Sequence, residues 1–316
     1  MTVRWGILGA AAIAKEKVMP AIQASNGTIQ AIASRSQNVD ELAKHYQIEE
    51  VYGQYEQLLE SDKVDAVYIP LPNSLHYKWV MKALKSGKHV LVEKPIVLDV
   101  QQMMDIKQYA EAKNLVVMEA FMYRYHPQIE AAKRMLQAGE IGEVISMRSQ
   151  FHFVLQDWKN DIRITPKLGG GVLYDIGCYC INIQQYMLGE QMANAAFLTE
   201  KYNDVDVKVS GSVQYANGVI GQIDCSFLGH FTETFDVIGT KGMLRLPHAF
   251  RTDVNEHTGI VEIYKEKDTK KYYYDGDSYQ LQIEHFEQVM RGELPKYSLE
   301  EMLSQVQTLT TLYEKL

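Results

Sequence analysis

Residues 6–14 read Gly6-Ile7-Leu8-Gly9-Ala10-Ala11-Ala12-Ile13-Ala14, an apolar run that ends in very small side chains. Such residues suit the holding of a diphosphate, against the plainer reading of an ordinary tight strand-to-helix connection. The chain must turn sharply out of a strand, and its N–H groups must approach phosphate oxygens at the positive end of the following helix. Gly9, Ala11, Ala12 and Ile13 are therefore candidate cofactor contacts, with Ala11 standing where a dinucleotide turn usually has its second glycine. The next apolar run ends Ala33-Ser34-Arg35-Ser36. A site that selects NAD places a carboxylate here, about 20 residues on, to accept from the ribose 2′-hydroxyl. This run has none. A guanidinium flanked by hydroxyls matches a 2′-phosphate instead, being permanently charged and able to donate in a bidentate fork. Ser34 and Arg35 thus point to NADP ahead of NAD, against the plainer reading of Arg35 as a solvated loop residue.

These residues need a strand–helix–strand frame, and residues 1–120 supply its pattern. Short β-rich runs at 3–8, 29–34, 51–53, 66–69, 90–92 and 116–119 alternate with helical stretches near 13–25, 39–45, 74–86 and 100–113. That alternation predicts a parallel sheet covered by helices on both faces, a doubly wound α/β domain. After Phe121 the pattern changes. A helix over 126–138 is followed by strand patterns at 144–153, 205–215, 219–228, 232–238, 243–246, 259–265 and 270–274. Helices near 279–291 and 299–315 close the chain. The reading is a nucleotide-binding domain over 1–120 and an α+β domain with an antiparallel sheet over 121–316. Asn217-Gly218 predicts a hairpin closed by a type I′ turn, with φ > 0 at both residues. Such a sheet is often wet on one face; if that face is apolar it is a natural dimer surface.

The bulk numbers narrow the function. A chain of 316 residues is long enough for two ordinary domains, and 46% apolar with 23% charged residues is usual for a globular protein. No uncharged apolar window reaches the roughly 18 residues of a membrane span. The N-terminal apolar run is short and carries the glycine pattern, so it reads as a strand and not as a secretory signal. The net charge of -8 argues against a nucleic-acid surface, which needs a basic field. Cys178, Cys180 and Cys225 make no disulfide framework and no zinc-ligand spacing. We expect a cytoplasmic protein without nucleic-acid or membrane partners and without a catalytic metal.

Three further segments occur in order: Pro70-Leu71-Pro72-Asn73-Ser74-Leu75-His76, Gly87-Lys88-His89-Val90-Leu91-Val92-Glu93-Lys94-Pro95, and Gly169-Gly170-Gly171-Val172-Leu173-Tyr174-Asp175-Ile176-Gly177-Cys178-Tyr179. Together with the N-terminal turn, and over essentially the whole chain, they resemble the Gfo/Idh/MocA oxidoreductases. The branch most similar holds dimeric dihydrodiol dehydrogenase and NADP-dependent D-xylose dehydrogenase, which have tyrosine where inositol dehydrogenases carry histidine. The resemblance implies a Rossmann domain followed by an α+β domain on an open, mostly antiparallel sheet that commonly mediates homodimer or homotetramer formation. It implies that Pro70, Leu71, Asn73 and His76 line the cofactor cleft and that Glu93 and Lys94 face the nicotinamide. It also implies a cis Lys94-Pro95 peptide, aiming the lysine into the cleft.

Hydride transfer at a carbinol carbon requires a group that takes or returns the hydroxyl proton. A free tyrosine, with a pKa near 10, is a poor base at neutral pH, and a nearby ammonium lowers that value. The motif singles out Tyr179 from 20 tyrosines as general acid/base, with Lys94 as its activator and substrate orienter. Asp175 lies four residues earlier, on the same face if 175–187 is helical. It either holds the substrate hydroxyl or Lys94, or simply caps the helix it begins. The glycine triplet either lets backbone pass close to the cofactor or is a flexible turn. Arg124, Trp158 and Arg163 are softer substrate candidates, each with a plainer reading: a solvated junction residue, a surface aromatic, a salt bridge to Asp161. The expected function is reversible NADP-linked oxidoreduction of a sugar, sugar derivative or trans-diol. A non-catalytic NADP-binding regulator is the alternative, and an enzyme that never releases its cofactor ranks third.

Overall fold

A computed structural model of the chain describes residues 2–34 and 39–316. Arg35, the candidate 2′-phosphate receptor, lies outside the described residues. Packing divides the chain into two units: Met1–Ala120 with Tyr279–Leu303, and Phe121–Ser278 with Ser304–Leu316.

In the first unit, strands β1 (Arg4–Leu8), β2 (Thr28–Ala33), β3 (Glu50–Tyr52), β4 (Ala66–Ile69), β5 (His89–Val92) and β6 (Val117–Glu119) lie in the order β3-β2-β1-β4-β5-β6. Every pairing is parallel. The order reverses direction between β1 and β4, the topological switch at which open α/β sheets bind ligands beyond the strands' carboxyl ends. Ile7, Val67, Ile69 and Leu91 are fully buried, which is why these strands read as unbroken apolar runs. A wide π-helical turn, Ala14–Val18, leads into α1 (Met19–Ala24). Then come α2 (Val39–Tyr46), α3 (Tyr55–Glu60), α4 (His76–Lys85) and α5 (Val100–Lys113). The last starts at Asp99, whose carboxylate accepts from the Gln102 amide (2.9 Å), and stops at Asn114 in the left-handed region (φ 55). Helix α3, too short to show a period, was not expected from the sequence.

In the second unit, α6 (Pro127–Gln137) and α7 (Cys178–Leu188) accompany an eight-stranded sheet. Its strands are β7 (Val144–Val154), β8 (Met192–Tyr202), β9 (Val205–Tyr215), β10 (Ile220–Ser226), β11 (Leu228–Gly239), β12 (Met243–Leu246), β13 (Thr258–Lys265) and β14 (Asp268–Asp275), in the order β14-β13-β12-β11-β7-β10-β9-β8. All pairs are antiparallel except β7 with β10. Alternation puts Met147, Phe151, Ile223 and Val237 inside, and leaves Arg148, Gln222 and Ile238 on the open face. Strand β8 escapes the sequence pattern because it is an alanine-rich edge with almost no buried position. The expected turn type is misplaced as well. The β9–β10 loop is longer than two residues, spanning 216–219, with Tyr215 N–H on the Val219 carbonyl, Gly218 N–H on the Tyr215 carbonyl (both 2.9 Å), and Gly218 left-handed at φ 88. The two-residue form with φ > 0 twice joins β8 to β9, at Asn203 (φ 49) and Asp204 (φ 62).

Two helices close the chain, α8 (Ser278–Met290) and α9 (Leu299–Tyr313). The sequence reading gives all of residues 121–316 to the second domain, whereas Tyr279–Leu303 packs with the first. The cause is a buried polar joint: the Trp5 indole N–H donates to Glu287 Oε1 (3.0 Å), and its ring tilts against Phe286 at 4.9 Å. Among the described residues no helix is long and apolar enough to cross a membrane.

Candidate active site

The strand β1 delivers the backbone to Gly9, whose φ of 114 is closed to L side chains and whose N–H bonds the Ala33 carbonyl of β2 (2.8 Å). A Cβ there would come within 3.2 Å of Leu71 Cδ2. The glycine therefore lets the turn run close beside the loop after β4. The helix starts immediately afterwards at Ala12, and Ala11 before it has no polar side chain to cap it. Uncapped amides at a helix start, reached through a tight turn at the switch point, fit a diphosphate. Ser34 is buried, and its N–H bonds the Tyr52 carbonyl (3.1 Å).

The loops after β4 and β5 are tied to each other by His76. Its Nδ1 lies 2.8 Å from the Pro95 carbonyl and its Nε2 lies 2.7 Å from the Leu71 carbonyl. The ring is fully buried. Burial pushes the imidazole below its ordinary value, and the charge of Lys94 acts the same way, against the pull of the two carbonyls. This corrects the expectation that His76 lines the cofactor cleft: no ring nitrogen is turned away from backbone. Pro70 is buried, while Leu71, Asn73, Glu93 and Lys94 stay partly accessible. Tyr68 on β4 donates to Glu93 (2.5 Å), and buried Glu119 on β6 accepts from the Ile96 amide (2.8 Å). The Lys94-Pro95 peptide is cis. Sequence reading missed Glu119; its signal was a carboxylate ending an otherwise apolar strand.

In the second unit, Asp175 and Tyr179 share one helix. A π-helical turn, Leu173–Gly177, runs into α7. Asp175 is already inside it, with its N–H on the Gly171 carbonyl (3.0 Å), so it is not the cap. That role falls to Asp206 of β9, whose Oδ2 accepts from the Leu173 amide (2.7 Å). Burial pushes the Asp206 carboxyl above the usual carboxylate range, against the amides that bond it. The glycine triplet serves the same joint. Gly171, at φ 131, faces Asp206, and the Gly170 and Gly171 amides bond the carbonyls of Thr165 (3.2 Å) and Arg163 (2.8 Å). Within this unit its close approach is thus to protein, whereas the sequence reading offered cofactor or a flexible turn.

Asp175 is held by Arg163, whose Nε donates to Oδ2 at 2.8 Å. Tyr179 is 7% exposed and sits in an aromatic box. Ring centroids of Phe121, Phe250, Phe151 and Tyr123 lie 5.1, 5.4, 5.6 and 5.9 Å away, and the phenol reaches Met122 Sδ at 3.6 Å. Tyr123 is itself fixed by its hydroxyl, which donates to Asn182 (2.5 Å). Of the softer candidates, the Arg124 guanidinium stacks on Tyr186 at 4.2 Å, and Trp158 packs edge-on against Tyr202 at 5.3 Å. Arg163 joins Asp175; Trp158 does not join them through any contact described. Lys94 belongs to the first unit, and Asp175 and Tyr179 to the second.

Comparison with known proteins matches both units. Residues 3–121 match the oxidoreductase family with an NAD-binding Rossmann fold of the GFO/IDH/MocA group, and residues 129–245 match the GFO/IDH/MocA C-terminal domain. The chain is 37% identical over 313 residues to a D-xylose 1-dehydrogenase (NADP(+)) of Haloferax volcanii, covering 98% of this chain and 96% of that one. It is 32% identical to the trans-1,2-dihydrobenzene-1,2-diol dehydrogenase of Mus musculus, over 78% of this chain and 75% of that one. Among solved structures, a 3-ketoreductase from Actinomadura kijaniata in complex with NADP and TDP-benzene superposes with a TM-score of 0.91, at 31% identity, covering 100% of this chain and 98% of that one.

The helix of Asp175 and Tyr179 is most easily broken at Gly171. A Cβ there would lie 2.3 Å from Asp206 Oδ1, on a backbone that L residues rarely adopt. Gly171→Ala should cost roughly 2 to 5 kcal/mol from strain and overpacking together. Urea unfolding followed by tyrosine and tryptophan fluorescence reads this; a variant as stable as the wild type would show that the backbone yields at no cost.

Proposed function

Since the chain belongs to the Gfo/Idh/MocA family of oxidoreductases, we propose that it is an NADP-dependent dehydrogenase or reductase acting on a CH–OH carbon of a sugar, sugar derivative or trans-diol. The carrying observation is the presence in one chain of Lys94, just past β5 beside the loops that flank Gly9, and of Tyr179, boxed by aromatic rings on α7. That pair speaks against a non-catalytic regulator. The identities to a D-xylose dehydrogenase and a dihydrodiol dehydrogenase support the substrate class, and the NADP named for the first of them supports the cofactor.

Bound nicotinamide would supply or accept the hydride. The residues do the rest. Gly9, Ala11, Ala12 and Ile13 offer backbone to the diphosphate, Ser34 and Arg35 take the 2′-phosphate, and Pro70, Leu71, Asn73 and Glu93 border the nicotinamide. Tyr179 takes the hydroxyl proton in oxidation and returns it in reduction. Lys94 is the assisting group of this reading, because an ammonium favours a phenolate and orients a carbinol oxygen. Asp175 accepts from a substrate hydroxyl. The aromatic box keeps water from the phenol, which strengthens each of these interactions. Arg124 and Trp158 complete the substrate half of the reading. A cytoplasmic setting, where three buried free thiols stay reduced, belongs with it. So does a homodimer or homotetramer through the open face of the eight-stranded sheet, which carries the exposed Leu198 (81%), Ile220 and Ile238.

Tyr179→Phe and Lys94→Ala should each lower kcat by about 100-fold or more on a good sugar substrate, in the range of general acid–base catalysis, with NADPH binding kept. Full turnover in both variants would end the mechanism. Titration of reduced-nicotinamide fluorescence should show tighter binding of NADPH than NADH, and Arg35→Ala should erase the difference. Equal binding of both, untouched by the variant, would return the cofactor to NAD. Sedimentation should find an oligomer that Leu198→Asp with Ile238→Asp divides; a monomeric wild type would remove the sheet interface.

A further inference from the structure

Arg163 lies in the loop between β7 and the helix of Asp175, and its amide, its carbonyl, Nε and Nη1 are all bonded, though its side chain is 40% exposed. Its N–H donates to Asp161 Oδ1 (2.8 Å), and its carbonyl accepts from the Gly171 amide (2.8 Å). Its Nη1 donates to both oxygens of Asp161 (3.2 and 3.1 Å), and its Nε to Asp175 Oδ2 (2.8 Å). The loop itself is closed by the Thr165 hydroxyl on the Asp161 carbonyl (3.1 Å), and Gly170 is small because a Cβ would lie 2.6 Å from the Arg163 carbonyl. A solvated salt bridge needs none of this, and such pairs contribute little. Here one guanidinium is fixed by Asp161 so that its other edge meets Asp175, whose side chain is only 16% exposed.

We infer that Arg163 is a positioning residue for the reaction: it holds the Asp175 carboxylate as an oriented acceptor for a substrate hydroxyl. Asp175 then does not donate a proton, and that task stays with Tyr179, one helical turn on. The inference replaces the expectation that Arg163 touches substrate, and it rests on the proposed role of Asp175. Among the contacts described, charged side chains meet this turn from the loop, through Arg163 joined to Asp161, and from β9, through Asp206, which Lys201 also influences. Asp175 in turn is what raises the Arg163 guanidinium most, ahead of the opposing burial.

The test uses the full chain labelled with ¹³C-carboxyl aspartate, with Asp175→Asn identifying the Asp175 resonance. An opposite charge lowers a carboxyl pKa, so removing it must raise that pKa. In Arg163→Ala the Asp175 midpoint should move up by roughly one pH unit, and the acidic limb of kcat/KM should move with it. The conservative Arg163→Lys should restore much of the limb while losing the fork to Asp161. KM should rise more than kcat falls, and Arg163→Ala should add little in an Asp175→Asn background, because both act through one contact. A midpoint that stays put in Arg163→Ala overturns the inference. So does a midpoint that moves while the kinetic limb stays, or losses that multiply in the double variant, since either reduces Arg163 to a loop brace. Wild-type protein that binds NADPH yet turns over no sugar or diol would be a different failure, ending the functional reading itself.

Discussion

Amides at the start of a helix have no partner within it, and they must be satisfied from outside. The two units of this chain meet that constraint in opposite ways. After β1 the helix opens at Ala12 behind the capless Ala11, and Gly9 turns the strand out of the sheet just before it. Before α7 the corresponding amide, Leu173, is closed by a protein carboxylate, Asp206, buried against Gly171. One helix start thus has the chemistry that suits an anion, and the other is closed by the protein itself two residues before Asp175.

The side chains that position the site mostly act on backbone. His76 spans two carbonyls, Glu119 takes the Ile96 amide, and Glu233 takes the Phe250 and Arg251 amides (2.7 Å each), placing Phe250 in the box around Tyr179. Burying such groups is costly unless they are bonded, and backbone is the partner that moves least. Burial pushes the Glu233 carboxyl above its usual range despite those amides. A loop clamped by a buried carboxylate or imidazole gains definite shape at the expense of stability, and these clamps fall where loops carry chemistry.

Much of the first unit was legible because each parallel strand is an apolar run and each crossover a helix. The site motifs were legible as residue types: Gly9, Lys94, Asp175 and Tyr179 stand in short patterns whose chemistry can be named. What escaped was non-local. No spacing joins Arg163 to Asp175, or Asp206 to Leu173, since the fold creates those contacts. The β7–β10 pairing is parallel inside a meander that reads as antiparallel. The resemblance implied His76 in the cofactor cleft; only the fold reveals that both its nitrogens meet backbone carbonyls. Strand β8 failed for the reverse reason, being too exposed to carry an alternation.

The joint between Trp5 and Glu287 spans 282 positions. During synthesis the first six strands can pair as they emerge, yet Trp5 has no partner for its indole until α8 has left the ribosome. The nucleotide-binding unit therefore matures late: its sheet comes first and its seal last, after the whole of the second unit's sheet has been made. A nascent chain paused before α8 would leave the Trp5 side chain on the central strand β1 uncovered to chaperones, and its completion is a closing step timed by chain length.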